Sequence, residues 1–151
     1  LLLAADPRKD LEGYMAPTDA REALSGTNLR SLRNISNLCR EKNIRLILYS
    51  VPSPENWSMA RHNTMEDLAR ELGVLYLDGN LESRDIDWDR DTYDNGDHLN
   101  YYGAAKITRW LGDFLSDALP DHRGEAAYAA WDRDLAALPE RIQAKMEEMK
   151  E

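Results

Sequence analysis

Ile44-Arg45-Leu46-Ile47-Leu48-Tyr49-Ser50-Val51 runs straight into Pro52-Ser53-Pro54, and the fold reading starts from that junction. The first eight residues are mostly apolar with a β-branched share, which predicts a strand; prolines, which cannot donate to a ladder, end it. From Asn56 or Trp57 to Leu72 the periodicity becomes helical, with Met65, Leu68, Ala69 and Leu72 on one face and Gly73 just past the end. Val74-Leu75-Tyr76-Leu77 is a second short apolar strand, ending in Asp78-Gly79-Asn80. Strand, helix, strand with tight connections is a βαβ unit. Its strands are expected to be parallel and covered on both faces, with a right-handed crossover.

Working outward, Leu29, Leu32, Ile35 and Leu38/Cys39 recur at helical spacing from Thr27 or Asn28, and Asn43 is the expected stop. A shorter turn over 19–25, capped by Thr18 or Asp19, is expected before it. Residues 1–18, with Pro7 and Pro17, read as a loop-like lead-in. Residues 79–100 form a long, Asp-rich connection, and connections of that length in compact domains usually carry function or mobility. Asn100 then caps a helix with Ala104, Ile107, Leu111, Phe114/Leu115 and Ala118 on one side, closed by Pro120. A further helix near 125–137 presents Tyr128, Trp131 and Leu135. The charged tail after Pro139 keeps only Ile142, Met146 and Met149 as an apolar stripe. The division this implies is a domain over 1–138 and a helical tail over 139–151.

Two strands make a poor open sheet, because both edges and much of both faces stay bare. The expectation is that further strands lie upstream. The chain opens on Leu, not Met, and is read as part of a longer protein.

Composition narrows the function classes. The 151 residues include 19 Lys plus Arg against 28 Asp plus Glu, a net charge of −9 that repels phosphate backbones and argues against a nucleic-acid partner. With 42% hydrophobic and 31% charged residues the chain has the make-up of a globular protein rather than a disordered one. A single cysteine, Cys39, excludes an internal disulfide and any multi-cysteine zinc cluster within one chain, and its place on the apolar side of a helix predicts a packed thiol. No stretch approaches the about 18 apolar residues of a spanning helix, and Leu1-Leu2-Leu3-Ala4-Ala5 is too short for a signal core.

The densest chemistry is Asp91-Thr92-Tyr93-Asp94-Asn95-Gly96-Asp97-His98-Leu99-Asn100. It follows the second strand, on the side where open α/β sheets place their sites. A histidine just before a helix cap can offer one ring nitrogen to a cleft while a carboxylate fixes the other and stabilises the imidazolium. Asp91, Asp94 and Asp97 could each do this. A turn at Asn95-Gly96 would fold Asp94 back onto His98, which makes Asp94 the choice, with Asp97 pointing away or supporting the helix start. The same composition also suits a solvated acidic loop.

The segment from Asp94 to Lys106, D-N-G-D-H-L-N-Y-Y-G-A-A-K, resembles the final block of SGNH, or GDSL-type, ester hydrolases, in particular a bacterial subgroup ending D-x-G-x-H-L/M-N-x-x-G-A-x-K. Leu48 to Trp57 resembles that subgroup's strand-to-loop segment ending P-S-x-x-N-W, and Arg61-His62-Asn63, Leu75 to Asp78, Asp121 to Gly124 and Tyr128 to Trp131 fall at its spacing. The resemblance covers about residues 14–135. It implies an α/β three-layer sandwich with a flavodoxin-like parallel sheet, incomplete here, and an ester hydrolase or O-acyl transferase in which His98 is the general base and Asp94 its orienting acid. The widest family pattern puts the acid three residues before the histidine, where this chain has Asn95. Asn56, Trp57 and His62, following the first strand, are the expected substrate-binding residues, Trp57 and Asn56 suiting a sugar ring or an acyl group.

The resemblance also implies an absence. No G-D-S occurs, and none of Ser25, Ser31, Ser36, Ser50, Ser53, Ser58, Ser83 and Ser116 lies in a small-residue nucleophile turn. The nucleophile and the oxyanion-hole donors are expected upstream of Leu1, leaving this stretch inactive alone. No metal or other cofactor is expected. An acylated small molecule or carbohydrate would be the substrate, with a homo-oligomer or the missing upstream segment as partner; the sequence itself leaves the location open, and the resemblance suggests the cell envelope or the extracellular space. Two other readings stay open. Asp85-x-Asp87-x-Asp89-x-Asp91 alternates oxygen ligands suited to calcium, although the EF-hand Gly and Glu fit in neither register. A non-catalytic α/β module that docks a partner through its last helices is the other.

Overall fold

The computed structural model describes residues 2–8, 10–82 and 85–149. Leu1, Ser83 and the last two positions of the tail lie outside the described residues. About half of the chain is helical and the protein is mixed α/β. Its elements are α1 (Gly26–Glu41), β1 (Ile47–Ser50), α2 (Met59–Leu72), β2 (Leu75–Asp78), α3 (Gly79–Glu82), β3 (Thr92–Tyr93), β4 (His98–Leu99), α4 (Tyr101–Leu115) and α5 (Ala129–Glu148), with a 3-10 turn at Ala126–Tyr128 before the last.

The βαβ unit forms as the periodicity requires. β1 and β2 are parallel, pairing Ile47 with Leu75 and Ser50 with Asp78. Leu48 on the α2 side of the sheet is buried with Leu68 and Ala69 of the helix, while Leu77, paired with Tyr49, lies on the opposite side, where Tyr49 meets Trp110 of α4; Ile107 of α4 is also buried. The cover on both faces does not extend along the strands. β1 alternates buried with half-buried residues, and Leu75 is exposed. Among the described residues the parallel sheet has two strands, and the second sheet is the short antiparallel pair β3–β4.

Helix ends follow side-chain capping more closely than apolar spacing. Ser25 Oγ accepts from Asn28 N at 3.1 Å, so α1 starts two residues earlier than Asn28, and Asn43 ends the segment in the left-handed region at φ +54°. The expected turn over 19–25 does not form; residues 19–25 are irregular. Ser58 caps α2, which moves its start to Met59 and leaves Asn56 and Trp57 in the preceding loop; Gly73 closes it in the left-handed conformation, as expected. Asn100 caps α4 as expected.

Two helix faces differ from the sequence reading. On α1 the inward side runs through Leu32, Ser36 and half-buried Cys39, while Ile35 and Leu38 are exposed. On α4 Gly103 and Ile107 are buried and Phe114 is exposed, a rotation set by the tight approach at Gly103. A Cβ there would lie 2.4 Å from the Asp91 carbonyl oxygen, so only glycine permits this seat. α5 continues through Pro139, losing one amide hydrogen bond. No helix is long and apolar enough to cross a membrane among the described residues.

Candidate functional site

The strand ends set the stage. The loop after β1 and the start of α3 after β2 meet where Ser53 N donates to Asn80 Oδ1 at 2.9 Å. Against this carboxyl-end face of the parallel pair rests the β3–β4 hairpin, with Tyr93 opposite His98. Its turn is the one the sequence signals. Asp97 N donates to the Asp94 carbonyl at 3.0 Å, and Asn95 and Gly96 take φ +52° and +81°, the positive values that mirror-image hairpin turns need.

His98 is 63% exposed in its side chain, so it stands on the surface rather than in a closed cleft. Its Nδ1 lies 3.5 Å from Asp94 Oδ2 and 3.4 Å from Asp97 Oδ2. Asp94 therefore folds back as the turn predicts. The expectation that Asp97 points away does not hold: it reaches His98 equally, because the turn brings both of its flanking residues to one side. Asp91 belongs elsewhere. It is buried, takes Lys106 Nζ at 2.5 Å and Asp87 N at 2.8 Å, and fastens the hairpin to α4.

The lead-in seats the hairpin from the other side. Asp6 N donates to the Thr92 carbonyl at 3.0 Å, Gly96 N to the Asp6 carbonyl at 3.1 Å, and Asn95 N to Asp6 Oδ2 at 3.2 Å. Arg8 Nη1 donates to the Pro54 carbonyl at 2.9 Å and to Glu55 Oε2 at 2.7 Å, tying the lead-in to the loop after β1. Leu3, in the same segment, is buried. The reading of 1–18 as a plain lead-in misses this, because an irregular segment held by a few backbone bonds and single side chains to distant residues has no periodicity to show it.

The three residues expected to bind substrate separate into two places. Asn56 belongs to the His98 region, but its Nδ2 is engaged by Asp97 Oδ1. Trp57 and His62 belong to a cluster centred on buried Asp78. Asp78 Oδ2 accepts from Trp57 Nε1 at 3.0 Å, His62 Nδ1 at 2.7 Å and Tyr76 OH at 3.0 Å. Asp78 Oδ1 accepts from Asn80 N at 2.9 Å and Asn80 Nδ2 at 2.6 Å. Ser50 Oγ and Tyr76 OH lie 3.0 Å apart, and since the phenol donates to Asp78 the serine donates to the phenol. Burial raises Tyr14, Tyr49 and Tyr76 above the ordinary phenol value, Tyr49 to about 12, with the Asp78 charge adding in each. Ser53 and Asn80 were not foreseen as site residues; their only sequence signal is their position directly after the two strands.

For cations, the described residues that bring three ligand atoms within 4.8 Å of one another are Asp94, Asp97 and His98. The Asp85-to-Asp91 series does not gather: Asp87 Oδ1 receives Asp89 N while Asp91 faces Lys106. No family model matches the chain, and neither the curated proteins nor the solved structures yield a match.

Proposed function

We propose that this chain supplies the acid–base half of an SGNH-like ester hydrolase or O-acyl (acetyl) transferase, within the three-layer, flavodoxin-like sandwich that the sequence resemblance implies. The observation that carries the reading is the hairpin at the carboxyl ends of the parallel strands. It presents His98 with Nδ1 toward Asp94 and Asp97 and leaves Nε2 to the open side. In that role His98 Nε2 takes the proton of a serine hydroxyl as it attacks the ester carbonyl, and later returns it to the departing alcohol. The carboxylate beside Nδ1 holds the tautomer and stabilises the imidazolium between the two transfers.

The serine and the oxyanion-hole donors come from sequence outside this chain. Without a nucleophile no acyl-enzyme forms, and each missing donor costs about 10² to 10³ in rate, so the chain by itself is expected to be inactive. Its substrate is an acylated small molecule or carbohydrate. The test joins this chain to a preceding segment that bears the G-D-S block and measures hydrolysis of a short acetyl ester. His98→Ala is expected to lower kcat at least about 10³-fold. Undiminished turnover in that variant sinks the proposal. An interaction module is the second reading, favoured by α5, where Trp131 and Leu135 are 77% and 62% exposed.

A further inference from the structure

Asp97 sits between the hairpin and the loop after β1, and its two oxygens have different partners. Oδ2 stands 3.4 Å from His98 Nδ1, while Oδ1 accepts from Ser53 Oγ at 2.9 Å and from Asn56 Nδ2. Ser53 is itself fixed. It is buried, its Oγ accepts Asn56 N at 3.2 Å, and its own amide donates to Asn80 Oδ1. Asn80 in turn is bonded through both nitrogens to Asp78, the buried carboxylate that ends β2. A continuous chain of hydrogen bonds therefore runs from the sheet to the acid beside His98.

Asp94 has the same reach to the imidazole but none of this support. Its side chain is 61% exposed against 24% for Asp97, and among the described residues its carboxylate has no hydrogen-bond donor. An exposed carboxylate loses rotamer freedom to hold one geometry, whereas one already gripped through its other oxygen has lost it on folding. The other charged groups around the hairpin have partners away from the imidazole: Asp6 accepts from Asn95 N, Arg8 pairs with Glu55, and Asp91 with Lys106.

We infer that Ser53 and Asn56 are positioning residues for His98, holding Asp97 rather than Asp94 as the carboxylate that orients the imidazole. The inference rests on His98 being the acid–base group proposed above, and it names the acid that serves it. It also reassigns Asn56 from binding substrate to holding Asp97.

Nitrogen-15 NMR of the imidazole in this chain, at about pH 9 where histidine is neutral, reads which ring nitrogen carries the proton. Asp97→Ala is expected to lower the ratio of the Nδ1–H to the Nε2–H form about threefold, the scale of one exposed charge-assisted hydrogen bond. Ser53→Ala and Asn56→Ala lower it about twofold, Ser53→Thr keeps it, and Asp94→Ala leaves it unchanged. A ratio that follows Asp94 and not Asp97, or that ignores both Ser53→Ala and Asn56→Ala, overturns the inference. Asn56 is at the surface, so its variant carries the test if Ser53→Ala does not fold. The measurement needs no substrate. A failed ester assay therefore overturns the proposed function without touching this result, and the reverse also holds.

Discussion

Each of the three histidines lies beside a carboxylate, and two of these pairings, at His62 and at His98, are built in opposite ways. His62 and Asp78 meet at 2.7 Å with the carboxylate 2% exposed, and both oxygens of that carboxylate are engaged by donors from the loop after β1, α2, β2 and α3. His98 and its acids meet at 3.4 and 3.5 Å, with the ring largely in solvent. By geometry alone the first pair looks better formed. Yet saturation is what suits a carboxylate to bracing strand ends, and a loosely held ring with one nitrogen free is what proton transfer needs. Short distance marks bracing here, and the open ring is the one on which the proposed proton transfer depends.

The comparison breaks most readily at Asp78. Replacing it with Ala leaves Trp57 Nε1, His62 Nδ1, Tyr76 OH and Asn80 N without their acceptor at once, and is expected to cost about 3 kcal/mol or more, read from urea denaturation midpoints. If Asp78→Ala unfolds at the parent's midpoint, the cluster does not brace the fold. Next in size is the alkaline limb. Tyr49, lifted to about 12 by burial first and then by the charges of Asp78 and Glu82, is neutral in the folded state beyond the point where a free phenol ionises. Its raised value therefore contributes stability that is complete below about pH 10 and is lost as pH climbs through 12. Phenolate absorbance tracks this directly, and in Asp78→Asn the Tyr49 titration should move down. Smallest is the hairpin: Asp94→Ala removes an exposed partner and is expected to shift stability by less than about 0.5 kcal/mol. A loss as large as that of Asp78→Ala would erase the distinction between the pairs.

What sequence carries and what it hides divide along the same line. The βαβ unit, the parallel pairing, the Asn100 cap, the Gly73 stop and the turn at Asn95-Gly96 were legible because each depends on local periodicity or on one residue's conformational bias. His98 with Asp94 was legible for that reason, being four residues apart around a marked turn. The partnership of His62 with Asp78 was not, since it joins a helix to a strand end across 16 residues and no spacing rule announces it. Nor was Ser53 beside Asp97, which are 44 positions apart. Misjudged helix faces have a related cause. Ser36 turns inward and Ile35 outward because the packing surface available to α1 is small, so apolarity alone does not choose the side.

The contact between Asp6 and Asn95 spans 89 residues. Closing so long a stretch of chain sacrifices entropy that only an already condensed scaffold can return, and contacts of that separation slow folding. The parallel unit, assembled from neighbours in sequence, is therefore expected to form first, and the His98 hairpin settles only when the segment around Asp6 folds back to meet it. Assembly order thus leaves the His98 hairpin unfinished until the rest of the molecule can support it.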